Sequence, residues 1–441
     1  MAGGFTAAGE YFIAPTGRFV AGSGGGYGGD FNSGALPFNP TIDLNFAGGS
    51  YFGVSGSPAT FLTTTNSGGT AVDASGNWTS FAANTPRITN LGLLVEESRT
   101  NGIRNNTMQG AVVPGTLPTN WAVQTSSFTG WTRNVVGIGT DNGINYVDLQ
   151  FVGTPATATS AAILPEAVLT IAASSGQTWA TSLFWKIQAG SLANVSGFTI
   201  GFQGTNSGAF TENQFVAIAT PTSAALRSQR YSVVGTVANA STNHIWPFYN
   251  FSVVPGQPVD VTFRIGWPQL ELGAFATSPI LTTSVAVTRA SDVVRLTTPP
   301  AFGTAGSVAV FQNLPFVTGA YNRLIVISDG TLSNTIDIED QPTTVPNLAV
   351  FVGGVVVATT TAAGSPTGLI KSAGSWNNTT INSAVGGVLA NSASSATPTG
   401  LTQVNLGARA DGSGFADSYI TRVALWPATA LTGPQLRQIT T

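Results

Sequence analysis

Period-two alternation of side chains constrains this chain more than any other feature. In Trp179–Ile187, Trp179, Thr181, Leu183, Trp185 and Ile187 share one face, and Ala180, Ser182, Phe184 and Lys186 share the other. Successive side chains of a strand point to opposite sides, so this spacing predicts a strand and not a helix. The same period runs through Phe198–Phe202 and Val259–Trp267. Tyr146–Val152, Phe215–Ala219, Tyr231–Val237 and Ile245–Phe251 add further strands. Turn residues separate the runs, and no long helical pattern interrupts them. The expected fold class is all-β.

The strands fall into two bodies. Residues 117–283 carry about eight strands with frequent turns, which predicts a β-sandwich of jelly-roll type. Residues 295–441 form the second body. There, Tyr321–Ser328 and Thr331–Ile338 flank Asp329 and Gly330, and Leu348–Val352 and Val355–Val357 flank Gly353 and Gly354. Both are hairpin signals. Near the end, Thr432 stands as the cap of a short helix, with Pro434 in its first turn and Gln435 three places on. Those are start signals for a helix. Residues 284–294 read as a connector.

The N-terminal part differs. Residues 1–45 are Gly-rich and irregular, which predicts an extended arm. Gly24, Gly26 and Gly29 match a dinucleotide fingerprint, but no strand precedes them and Pro37 and Pro40 follow where a helix should run. That context rejects the motif. Phe5, Tyr11, Phe12, Phe19 and Phe31 are candidate apolar anchors for an arm that orders on a partner surface, as segments that fold on binding do. A flexible arm is the alternative. Residues 46–116 form a junction region around Gly92–Asn101, which reads GLLVEESRTN. Only 8% of the chain is charged, far below the roughly 25% of ordinary domains. Here Glu96, Glu97 and Arg99 stand together. If Leu93, Leu94 and Val95 bury, those charges need partners, because an unpaired buried charge is costly. Glu96, Glu97, Arg99 and Asn101 are therefore expected to lock the N-terminal region onto the β body. A solvated surface turn is the alternative.

This stretch carries a resemblance. Val72–Asn77 (VDASGN), Ala82–Arg87 (AANTPR) and Gly92–Asn101 together resemble a segment of structural proteins of tailed bacteriophages, such as tail fibres and head fibres. The family's usual ending is aliphatic; here Gly102, Ile103 and Arg104 follow. Trp267–Ile280 resembles the last strand and exit of the carbohydrate-binding-module-like jelly rolls of such proteins, and Ser284–Asp292 resembles their connector. The end of the chain resembles a laminin-G-like, concanavalin-A-like sandwich, although Phe415–Ile420 departs from the usual Phe-x-Gly spacing. The resemblance implies a virion component, made in a bacterial cytoplasm and attached to head or tail proteins through its N-terminal region. It also implies a homotrimer, and the charge-poor surface suits close packing of copies. A ligand-free capsid or tail decoration protein is the alternative, with a glycan depolymerase or a bacterial surface adhesin behind it.

The residues themselves bound the chemistry. The net charge of −3 offers no basic footprint for nucleic acid. No cysteine is present, so disulfides and thiolate chemistry are excluded. No apolar run approaches the ~20 residues of a membrane helix, so no membrane insertion is expected. Residues 1–20 include Glu10 and lack a basic start, so no signal peptide is expected. His244, the one histidine, sits on an expected strand, where a hydrogen-bonded structural role outweighs catalysis. Glu96 and Glu97 are adjacent and point apart, and Asp337 and Glu339 sit beside a turn. Neither pair is placed as facing glycosidase carboxylates, so no enzyme is expected and no catalytic residue is named.

Two other sites are expected. Asp337, Glu339, Asp340, Asp411 and Asp417 could supply the oxygen ligands calcium needs; solvated turn carboxylates are the alternative, with no cofactor. Host surface glycans would be bound by aromatic faces beside amides. The candidates are Trp376 with Asn377 and Asn378, then Trp131, Trp246 and Tyr419.

Overall fold

A computed structural model describes residues 18–19, 36–314, 322–340, 346–362 and 368–441. The described strands and the few short helices make the chain all-β, as the alternation predicts. Among the described residues no helix is long and apolar enough to cross a membrane.

The chain divides into two compact units. The first holds Gly76–Thr79 and Arg99–Arg289. A six-stranded sheet runs in the order Arg18–Phe19, Arg230–Thr236, Thr178–Gly190, Val259–Leu272, Ile144–Gly153, Trp131–Asp141. A second sheet runs Ala122–Thr125, Ser160–Leu164, His244–Val253, Val195–Asn206, Ala209–Ala217, with Ile171–Ala172 also pairing to His244–Val253. All of these pairings are antiparallel. The inward positions of both sheets form one aromatic core. Phe151 meets Phe251 with ring centroids 4.8 Å apart, and Trp185 meets Phe263 at 5.5 Å, both edge to face.

The second unit holds residues 36–75, Ser80–Ser98 and Ala290–Thr441. One sheet follows the order Ser50–Phe52, Ile42–Asn45, Ser418–Trp426, Gly306–Leu314, Gly368–Trp376, Thr380–Val385, Val388–Ala393. Gly92–Val95 also pairs with Ser418–Trp426, and Arg87–Thr89 pairs with Gly92–Val95. The other sheet follows Val355–Thr361, Pro346–Val352, Thr335–Asp340, Asn322–Ser328, Gln403–Leu406, Val293–Leu296, Leu62–Thr65. Ile325, Ile327, Ile336, Ile338, Leu348 and Val350 alternate inward from the second sheet into the core. The terminal helix Gly433–Thr440 packs Leu436 and Ile439 against Phe311, Ala373, Ala384 and Trp426. Its cap forms as expected: the Thr432 N–H donates to Gln435 Oε1 at 2.8 Å.

The boundaries differ from those drawn on the sequence. Residues 46–98 are not a separate junction, because Leu62–Thr65 and Gly92–Val95 are strands of the second sandwich. Ile42–Asn45, assigned to the arm, pairs with Ser418–Trp426. The reason is apolar content. Ile42, Leu44, Phe46, Leu62, Leu93 and Val95 are all buried in the second core, and it would be incomplete without them. Gly76–Thr79, in the VDASGN-W turn, belongs instead to the first unit, where Trp78 packs edge-on against Phe184 and Trp267.

Candidate functional site

The five-stranded path of the first unit has an outward face built by register. Three strands matter: Ala209–Ala217, Val195–Asn206 and His244–Val253. Cross-strand pairing sets Asn213 beside Gln203 and Gln203 beside Trp246. Two residues along, Phe215 pairs with Gly201 and Gly201 with Phe248. Two further, Ala217 pairs with Thr199 and Thr199 with Asn250. Side chains at this spacing share one face.

Gly201 decides the geometry of the middle row. It has no side chain, so the phenylalanines on either side meet across it. Their rings stack with centroids 4.9 Å apart and planes inclined by 16°. Gly201 also adopts φ of +154°, and a Cβ there would lie 1.9 Å from the Gln214 carbonyl oxygen. No other residue fits this position without moving the edge strand.

Both rings are half-buried, Asn213 is exposed, and Gln203 and Asn250 are half-buried. Gln203 Nε2 donates to Asn213 Oδ1 at 2.9 Å, a bond that does not engage the Gln203 carbonyl or the Asn213 amide nitrogen. The face thus offers an apolar platform with amide donors and acceptors at both ends. That combination suits a ligand with apolar ring faces and hydroxyl edges.

Of the aromatic residues named from sequence, only Trp246 stands in this field. It lies against Ala162, Leu164 and Phe248 and is 6% exposed, so its ring flanks the platform on the same face without presenting a surface of its own. The others are corrected by burial. Trp376 is 1% exposed, its ring packed in the second core beside Phe302. Asn377 is a turn residue whose Oδ1 accepts from the N–H groups of Thr379 and Thr380 at 2.9 Å each, and Asn378 is exposed beside it. Trp131 lies in the first core and donates from Nε1 to the Ser127 carbonyl at 2.8 Å. Tyr419 is buried and bonded through its hydroxyl to the Val72 backbone. None of these rings presents a face to a ligand.

The acidic candidates are spread over separate contacts. Arg323 bonds Asp337 at 3.3 Å and Glu339 at 2.6 Å. Burial pushes both carboxyls above their ordinary range, against the opposing pull of Arg323. Asp340 accepts from Gln312 Nε2 at 2.9 Å, and burial raises its carboxyl to about 6. Asp411 closes a turn through Ser413, and Asp417 accepts from the Glu97 backbone N–H at 2.8 Å. Among the described residues no group of three or more His, Asp or Glu side chains could hold a metal ion.

Glu96, Arg99 and Asn101 are buried and bonded and Glu97 is half-buried, so this stretch is not a fully solvated turn. Glu96 meets Arg87 at 2.9 Å. Arg99 donates to the Leu272 carbonyl and lies 4.6 Å over the Phe275 ring. Asn101 donates to the Ile280 carbonyl at 3.1 Å and accepts from Ile103 at 3.0 Å. Of the arm residues, Phe19 pairs by backbone with Arg230; Phe5, Tyr11, Phe12 and Phe31 lie outside the described residues. His244 bonds the neighbouring Asn243 side chain at 2.8 Å, a structural contact.

Sequence reasoning missed Phe215, Phe248, Gln203, Asn213 and Asn250. The signal was present in Ile245–Phe251, where alternation puts Trp246, Phe248 and Asn250 together. What it lacked was which face looks outward, and that is set by partner strands far along the chain.

No known protein family and no curated protein matches this sequence. Solved structures give partial likenesses. One is the CBM40 of the Ruminococcus gnavus IT-sialidase bound to alpha2,3 sialyllactose, 16% identical over 32% of this chain and 84% of that one, with a TM-score of 0.28. Another is domain 4 of AbnA, a GH43 extracellular arabinanase from Geobacillus stearothermophilus, in complex with arabinotriose: 15% identical, 34% and 73% covered, TM-score 0.28. A third is the LG4-5 pair of the mouse laminin alpha1 chain: 12% identical, 57% and 82% covered, TM-score 0.22.

Proposed function

We propose that this chain is a non-enzymatic attachment protein that binds glycan on the outward face of the first sandwich. The observation that carries the reading is the Phe215–Phe248 stack across Gly201, with Gln203, Asn213 and Asn250 around it. Stacked rings supply apolar area for the C–H faces of a sugar, and side-chain amides exchange hydrogen bonds with its hydroxyls.

The place of action in this proposal is the virion of a tailed phage. Support comes from the sequence resemblance in the VDASGN, AANTPR and GLLVEESRTN segments, with the chain anchored through its N-terminal region and its sandwiches displayed as a fibre or spike. A homotrimer fits the sparse surface charge, since little repulsion opposes close packing of copies. A decoration protein without a ligand is the competing reading.

The test combines two assays on the full chain. Labelled particles are examined by cryo-EM for this protein, and purified protein is tested for adsorption to host cells. The reading expects the chain on particles, and adsorption lost in the Phe215→Ala/Phe248→Ala double variant while its thermal unfolding stays cooperative. A chain present on particles with no adsorption in any form supports the decoration protein. A chain absent from particles removes the virion assignment.

A further inference from the structure

We infer that the ligand of this face is an uncharged glycan, an inference that rests on the glycan-binding reading above. The argument is one of charge. On the strands that build the face, the outward positions carry amides, hydroxyls, small residues and aromatic rings. Ala162 and Gln124 extend the Asn250 row through the next strands, again without charge. Among the described strands of this sheet, no outward position holds Asp, Glu, Lys or Arg; His244, at one strand end, is the lone titratable group.

Charged residues near the sheet are already committed. Glu212 lies on the same edge strand as Phe215 but turns the other way. Its carboxylate accepts from Thr242 Oγ1 at 2.7 Å and from the backbone N–H groups of Ala238 and Asn239 at 2.9 and 3.1 Å. Glu166, just beyond the Ser160–Leu164 strand, is gripped by Arg104, with Nη2 to Oε1 at 2.7 Å.

A sialic or uronic acid has a carboxylate that must keep its water or find a cation. Laid on this face it would lose part of that water and meet no Lys or Arg from the described strands, an uncompensated cost. A neutral sugar has only hydroxyl and acetamido groups to satisfy, and amides donate and accept for both. The platform rings are phenylalanines, so they add area without a polar group, and recognition falls to Gln203, Asn213 and Asn250. From the Asn213 row to the Asn250 row is four residues of strand, about 13 Å at ~3.3 Å per residue. That length favours an oligosaccharide over a single sugar.

The probe is an array of neutral oligosaccharides with their sialylated and uronate-bearing counterparts, incubated with the full chain. Hits are then titrated at 50 and 500 mM salt. The inference predicts neutral hits only, with affinity changing less than about twofold across that salt range, since no charge is exchanged. It also predicts that Gln203→Lys moves binding toward acidic members and that Phe248→Ala or Asn250→Ala weakens neutral binding about tenfold or more. Acidic hits abolished by Phe248→Ala would keep the glycan reading and overturn the uncharged ligand. Neutral hits indifferent to Phe248→Ala, Asn250→Ala and Gln203→Lys would place the site elsewhere and overturn the inference. No hit of either kind would overturn it together with the reading beneath it.

Discussion

Arg87 and Asp292 are 205 residues apart in sequence and form a buried ion pair in the second unit. The same guanidinium meets Glu96 and donates from Nη1 to the Thr70 carbonyl at 2.8 Å. Asp292 also accepts from Asn66 Nδ2 at 2.8 Å and from the Glu96 N–H at 3.0 Å. Burial alone would lower the Arg87 guanidinium; the charges and hydrogen bonds of Glu96 and Asp292 outweigh it and leave the group above its ordinary value. This clasp explains the charge in GLLVEESRTN: Glu96 helps fasten the early strands to the segment that enters the second sandwich.

Removing the arginine leaves two carboxylates buried without their shared cation. Arg87→Met is expected to destabilise the second sandwich by about 3–5 kcal/mol. Arg87→Lys is expected to recover only part, because an ammonium cannot serve three acceptors in one plane. Urea unfolding of both variants checks this; a Met variant within about 1 kcal/mol of the parent would contradict it.

Asp340 sets a pH dependence. Its carboxyl is raised to about 6, chiefly by burial and against the Gln312 hydrogen bond, from an ordinary 3.8. A raised carboxyl favours the folded state when protonated, so its contribution is present below about 4 and is lost as pH rises through about 6. About 2 units at 1.36 kcal/mol each gives roughly 3 kcal/mol as an upper bound. Asp340→Asn is therefore expected to match the parent near pH 4 and to exceed it in stability by up to that amount at pH 7.5. Urea midpoints at the two pH values read the difference, and a variant weaker than the parent at pH 7.5 would refute it.

Gly201→Ala tests the platform from its floor. The new Cβ would meet the Gln214 carbonyl at 1.9 Å. The edge strand must shift, at a cost of about 1–3 kcal/mol, and the Phe215–Phe248 stack must open. Glycan binding is expected to fall about tenfold or more while the protein stays folded at 25 °C. Unchanged binding would show that the stack is not the contact.

Trp376 separates the present site from the one suggested by its loop-like sequence setting. Trp376→Ala is expected to cost about 3–5 kcal/mol as a core cavity, whereas Trp376→Phe should fold and bind glycan like the parent. Lost binding in a stably folded Phe variant would return Trp376 to the ligand site.

The sheets were legible because alternation is a local property. Trp179–Ile187 and Val259–Trp267 show it plainly, and the hairpin at Gly353 and Gly354 carries its turn residues with it; the strand expected from Thr331 begins only at Thr335, so Asp329 opens a longer connection than the two-residue turn its sequence suggests. The domain boundaries were not legible. Ile42–Asn45 and Gly92–Val95 pair with Ser418–Trp426, contacts more than 300 residues away that no local pattern encodes. Tryptophan misled for a related reason. Trp376 stands next to Asn377 and Asn378, yet its own alternation belongs to Gly368–Trp376, whose inward face it completes. Phe215 and Phe248 drew no attention singly, since only register across Gly201 brings them together.

The most direct measurement is an experimental structure of the full chain with an oligosaccharide cut from host surface polysaccharide. The account predicts sugar density lying over the Phe215–Phe248 pair, with hydroxyls bonded to Gln203, Asn213 or Asn250. Density at another surface, with the stacked rings bare, would contradict it.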